Sequence, residues 1–131
     1  MAAKIMIVDD EFGIRDTVSR YLTRHGLDVV TACDGNECIR NIMGGFTGIV
    51  ILDIYMPDLN GWETIREIIK RGFIERILII MLTAASSIDE KEEELKEYVL
   101  DYIPKPADLK ELAEAIKNYL QYFDDEKKSD K

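Results

Sequence analysis

The sequence predicts an α/β domain, a parallel sheet of five strands with five helices packed on its two faces. Three observations carry this. Five short runs rich in Ile, Val or Leu recur along the chain: Ile5 to Val8, Asp28 to Thr31, Gly48 to Leu52, Arg76 to Leu82 and Tyr98 to Ile103. Segments of helical spacing separate them, and strict strand–helix alternation favours a parallel sheet covered on both sides. Four capping signatures stand just after an apolar run or its loop.

Each element has its own justification. Three of the five runs lack strict apolar–polar alternation, as strands buried on both faces do. Ile14, Val18, Tyr21 and Leu22 form one helical stripe. Ile65, Ile68 and Ile69 form another, and Leu109, Leu112, Ile116 and Leu120 a third. Helix starts are marked by Asp34 before Glu37, Asn60 before Glu63, Ser87 before Glu90 and Asp108 before Glu111. In each pair the first side chain accepts from the backbone three residues on, and the Glu suits the positive end of the helix. Crossovers between the parallel strands are expected to be right-handed. Residues 1–123 read as one domain. Residues 124–131 are nearly all charged and read as a fraying tail or the start of a linker.

Composition narrows the function. The chain has 131 residues, 47% of them hydrophobic, which is enough for one real core. The net charge of −9 argues against direct binding to nucleic acid or to an anionic membrane, both of which need a basic face. Cys33 and Cys38 match no zinc or redox spacing and read as inert small residues in a reducing compartment. The apolar run near the start is too short for a signal peptide, and no stretch is long enough for a membrane span. A cytoplasmic protein is expected. His25, before Gly26, reads as a helix-end residue facing the dipole, not as a metal ligand.

In an open parallel sheet, ligands bind beyond the carboxyl ends of the strands. Asp9, Asp10 and Glu11 follow the first run, Asp53 the third, Thr83 the fourth, and Lys105 and Pro106 the fifth. Carboxylates, a hydroxyl and a lysine are therefore expected at one edge. Carboxylates held close repel one another unless something positive sits between them. Lys105 compensates in part, and a divalent cation does more. Oxygen-only ligands suit Mg2+ or Mn2+, and Mg2+ keeps several waters, which leaves positions for phosphate oxygens. A carboxylate beside a metal, a lysine and a hydroxyl suits phosphoryl acceptance, a reaction that asks mainly for positioning and charge neutralisation.

The motifs Ile-Val-Asp9-Asp10-Glu11, Leu52-Asp53-Ile-Tyr-Met56-Pro57-Asp-Leu-Asn-Gly61-Trp-Glu63, Leu82-Thr83-Ala84 and Asp101-Tyr102-Ile-Pro-Lys105-Pro106 resemble those of the receiver domains of two-component response regulators. The resemblance covers residues 4 to 122. It implies a flavodoxin-like doubly wound sheet with strand order 2-1-3-4-5. It implies Asp53 as phosphoacceptor, with Asp10, Asp53 and the backbone carbonyl of Tyr55 as metal ligands. Asp9 is implied as the second acidic-pocket residue, acting on the metal through water. Thr83 and Tyr102 are implied as the switch pair and Lys105 as the phosphate-pairing lysine, with a cis bond to Pro106. The implied donor is a histidine kinase or histidine phosphotransfer protein. The implied target is an output protein or an attached output domain, reached as a monomer or a phosphorylation-dependent dimer. Autophosphorylation from the donor and slow autodephosphorylation come with this role. One departure is visible: Tyr98 and Val99 occupy positions where the family often has Gly-Ala.

Two other classes are weighed against this. A haloacid-dehalogenase-like phosphatase resembles Asp-x-Asp-x-Thr/Val after its first strand, whereas Glu11 and Gly13 stand at the matching positions here. A flavodoxin-like FMN module needs a Ser/Thr/Gly phosphate loop after that strand, where this chain has carboxylates that repel an anion.

Overall fold

The computed structural model describes the backbone of residues 4–83 and 90–129, and the side chains of residues 4–82 and 94–121. The strands are β1 (Lys4–Val8), β2 (Val29–Ala32), β3 (Gly48–Asp53), β4 (Ile77–Thr83) and β5 (Val99–Pro104). The α-helices are α1 (Phe12–Arg24), α2 (Gly35–Met43), α3 (Gly61–Lys70) and α4 (Leu109–Ser129). The sheet is parallel throughout, in the order β2-β1-β3-β4-β5. Each expected strand is present, displaced by no more than one residue at either end.

Both sheet faces are apolar, which explains the missing alternation. On one face Met6, Val8, Val50, Leu52, Ile79 and Met81 meet Cys38, Ile39 and Ile42 of α2 and Trp62, Ile65 and Ile68 of α3. On the other, Ile5, Ile7, Ile49, Ile51, Ile80 and Leu82 meet Val18 and Leu22 of α1 and Leu112, Ala113 and Ile116 of α4. All six residues of the central strand β3 are buried. Residues adjacent in sequence thus serve opposite cores.

The caps follow the sequence. Asp34 accepts from the Glu37 amide at 2.8 Å, and Asp108 from that of Glu111 at 3.1 Å. Asn60 and Glu63 form a reciprocal capping box at 2.9 Å in each direction. The cap expected at Ser87 lies outside the described residues.

The helix count is corrected. Among the described residues there are four α-helices where five were expected. The crossover into β5 is a 3-10 helix, Glu90–Tyr98. Its sequence offers little apolar surface to the sheet. Its two apolar residues, Leu95 and Tyr98, are three apart and share a face at the 3-10 period. At the other end of the molecule, the backbone of α4 continues as helix through the charged segment to Ser129.

Candidate functional site

Strand order assembles the site. β1, β3, β4 and β5 are consecutive neighbours, with Val8 opposite Leu52, Asp53 opposite Leu82 and Thr83 opposite Pro104. The residue that ends or follows each strand therefore lies on one edge of the sheet. Asp9, Asp10 and Asp53 converge there, each offering an oxygen within 4.8 Å of the others. Asp9 and Asp53 are buried and Asp10 is exposed.

Lys105 closes the group from β5. Its Nζ lies 2.9 Å from Asp9 Oδ2 and 3.0 Å from Asp53 Oδ2, so one ammonium bridges two carboxylates. The peptide between Lys105 and Pro106 is cis. Asp9 is held at several atoms. Its Oδ1 accepts from the Glu11 amide at 2.9 Å, and its backbone carbonyl accepts from Arg15 Nη1 at 2.8 Å. Asp53 Oδ1 accepts from the Tyr55 amide at 3.2 Å.

The two shifts in this ion pair have physical causes that differ in sign. Burial by itself would lower the Lys105 pKa, but hydrogen bonds to Asp9 and Asp53 outweigh it and hold the ammonium above its usual range. Asp53 is raised, first by desolvation and also by the Asp9 charge, against the lowering influence of Lys105. Lys105 faces two carboxylates, while Asp53 shares its one ammonium with Asp9. The cluster is thus short of positive charge, and its donors are hard carboxylate oxygens with Asp10 open to solvent. That chemistry fits a divalent cation of the Mg2+ type.

The loop after Asp53 is tightly made. Ile54 N donates to Leu82 O, Leu59 N to Pro57 O, and Gly61 N to Ile54 O at 2.7 Å. Asp58 takes a left-handed conformation, φ 68°, which an Asx residue tolerates. Tyr55 is exposed on this loop. Trp62 is in the core rather than at the surface.

The switch pair is only partly visible. Thr83 ends β4, but its side chain lies outside the described residues. Tyr102 stands on β5 opposite Met81, half-buried against the α2/α3 core. Its hydroxyl is buried without a hydrogen-bond partner among the described residues, and burial pushes its pKa up. The departure at Tyr98–Val99 coincides with a bulge, for Ile79 pairs with Val99 and Ile80 with Asp101, leaving Leu100 between them and exposed.

His25 ends α1 as expected, its Nδ1 2.9 Å from Tyr21 O and its ring stacked on Tyr21. Cys38 is buried and its thiol is pushed up to about 12 by desolvation, whereas Cys33 is exposed. Arg15 was missed by sequence reasoning. Its position in the first turn after Glu11 was the available signal, because that turn lies over the end of β1.

The comparisons agree with this geometry. A family model described as response regulator receiver domain matches residues 5–117. The chain is 36% identical over 121 residues to the "Probable transcriptional regulator ycf27" of Porphyridium aerugineum, covering 92% of this chain and 49% of that one. It is 34% identical to the response regulator MprA of Mycobacterium tuberculosis, covering 92% and 52%. The chain therefore spans about half the length of these curated relatives. Among solved structures, a CheY-like receiver domain protein of Methanospirillum hungatei superposes with a TM-score of 0.87 at 40% identity, covering 92% and 95%. The chemotaxis protein CheY4 of Vibrio cholerae superposes with a TM-score of 0.78 at 30% identity, covering 90% and 98%. A five-stranded 2-1-3-4-5 sheet, an acid cluster bridged by a lysine and a family match over most of the chain lead to one conclusion: this chain belongs to the response regulator receiver domains of two-component systems.

Proposed function

We propose that Asp53 accepts a phosphoryl group and that this acceptance controls what the domain binds. The carrying observation is the convergence of Asp9, Asp10 and Asp53 with one bridging ammonium from Lys105. Asp53 is the acid at the end of the central strand, bonded to Lys105 and the Tyr55 amide. Lys105 is placed to pair with the arriving phosphoryl oxygens as its contact with Asp53 is exchanged. Asp10, Asp53 and the Tyr55 backbone carbonyl would hold Mg2+, or Mn2+, with Asp9 acting through water. When bound, such a cation would supply positive charge to the equatorial oxygens of the phosphoryl group during transfer. Asp9 and Arg15 keep the first loop in register beside it.

Thr83 and Tyr102 form the proposed switch. Tyr102 enters that role with a buried hydroxyl that lacks a partner among the described residues, so an alternative rotamer that hydrates it carries a compensating gain. The proposed donor is a histidine kinase or phosphotransfer protein in the cytoplasm. The proposed receiver of the signal is an output protein or attached output domain, contacted by a monomer or a phosphorylation-dependent dimer. The domain catalyses its own phosphorylation and slow dephosphorylation but turns over no separate substrate. Its limits are proposed as residues 1–123, with 124–131 as charged tail or linker. Among the described residues no helix is long and apolar enough to cross a membrane.

The test is phosphorylation from acetyl phosphate, followed by intact mass. A gain of one phosphoryl group that needs Mg2+ and vanishes in Asp53→Ala is expected. Unchanged modification of Asp53→Ala would exclude Asp53 as acceptor.

A further inference from the structure

Gly61 stands where the molecule leaves no room for a side chain. A β-carbon at this position would lie 2.7 Å from the Asp53 carbonyl oxygen, 2.9 Å from Ile54 Cα and 3.0 Å from the Met81 terminal methyl. Real β-carbons do not approach heavy atoms this closely, so something must move. The Met81 methyl ends a flexible side chain and can swing. The other two neighbours are backbone, and they belong to the acceptor and the residue after it.

The helix bearing Gly61 cannot easily retreat. Its first turn is fixed by the Asn60–Glu63 capping box, and Trp62, Ile65 and Ile68 bury it against the sheet. Gly61 N also donates to Ile54 O at 2.7 Å. The compliant part is the Asp53–Ile54 peptide at the open end of β3, held to β4 by the 3.3 Å bond from Ile54 N to Leu82 O. Moving that peptide moves the base of the Asp53 side chain, whose carboxylate makes its contacts at 3.0 Å to Lys105 and 3.2 Å to the Tyr55 amide.

We infer that Gly61 is a positioning residue for phosphoryl acceptance, its missing side chain letting α3 seat against the acceptor's own peptide so that the Asp53 carboxylate is held in reach of Lys105. This rests on the reading of Asp53 as acceptor. Gly72 provides the contrast. It has a left-handed φ of 80°, so alanine there is strained, but nothing lies within 4 Å of its β-carbon position.

The experiment uses the full chain as wild type, Gly61→Ala, Gly61→Ser and Gly72→Ala. The limiting phosphorylation rate and the KM for acetyl phosphate are measured at saturating Mg2+, with a thermal melt for each protein. Both Gly61 variants should lose about 10- to 100-fold in limiting rate, equally, because the clash is at the β-carbon, with KM changed far less. Gly72→Ala should lower the melting temperature yet keep its rate within about two-fold. A wild-type limiting rate in folded Gly61→Ala overturns the inference, as does an equal loss in Gly72→Ala. Should the Gly61 variants not fold, Asn60→Ala releases the same helix start. It should lower the limiting rate several-fold, and an unchanged rate overturns the inference. A wild-type protein that takes no phosphoryl group would instead refute the reading of Asp53 and is distinguished by that control.

Discussion

Asp53 is a carboxylate kept in an environment that does not favour its charge. Its pKa is raised by burial and by Asp9, so its folded value lies above its unfolded one. A group shifted that way supports folding fully below its unfolded pKa, and that support is lost as pH rises through the folded pKa. At neutral pH the ionised side chain therefore works against stability. Asp53→Asn is expected to stabilise the metal-free protein, and the gain should shrink when Mg2+ is added. Urea unfolding with and without MgCl2 measures both. Lys105→Met has the opposite sign. It leaves Asp9 and Asp53 without the ammonium that bridges them at 2.9 and 3.0 Å. A loss of about 3 kcal/mol without metal is expected, partly recovered with Mg2+. Stabilisation by Lys105→Met would show that the lysine does not hold the acids together.

At the scale of elements, helix starts govern the site as much as strand ends do. The Asn60–Glu63 box fixes the start of α3 directly behind Asp53. Asn60→Ala should cost about 1 kcal/mol in urea unfolding, and Glu63→Gln, which keeps the reciprocal bond, much less. Equal costs would mean that the Glu63 charge at the helix end contributes as much as the Asn60 cap. These caps were legible because a side chain three residues before a Glu is a local signal. So were the strands, since five Ile/Val/Leu runs admit few other roles. The crossover at Glu90–Tyr98 was not legible as 3-10. A capping signature and a charged run read as an α-helix, and only the count of apolar residues able to reach the sheet decides otherwise. The roles of Arg15 and Gly61 were harder to read for a related reason, although Arg15 follows Glu11 closely and Gly61 stands in a quoted motif. Arg15 acts on a backbone carbonyl, and Gly61 acts by what it lacks. Neither leaves a pattern of spacing.

At the scale of the molecule, two cores back to back on one sheet make the edge above them a single platform. Cys38 reports on that platform from inside the α2 core. Its thiol is raised to about 12 from 9.0, so its contribution to stability is full below pH 9 and falls as pH climbs toward 12. Between pH 8 and 10.5 the wild type should lose roughly 2 kcal/mol more than Cys38→Ala, at about 1.4 kcal/mol per pH unit above 9. Parallel pH profiles would contradict the burial of this thiol. On the same platform the acid cluster was readable in outline, because topology alone carries Asp9, Asp10, Asp53 and Lys105 to one edge. What topology alone does not give is how the acids share charge, with one ammonium bonded to both buried carboxylates.

The central claim is that this edge exists to make Asp53 an acyl phosphate. The most direct measurement is to phosphorylate the protein with acetyl phosphate and Mg2+, reduce it with borohydride, and sequence the peptides by mass spectrometry. An acyl phosphate is reduced to an alcohol, so the account predicts homoserine at position 53 and aspartate at positions 9 and 10. Homoserine at position 9 or 10, or unmodified aspartate at position 53 in protein that has gained the phosphoryl mass, would contradict it.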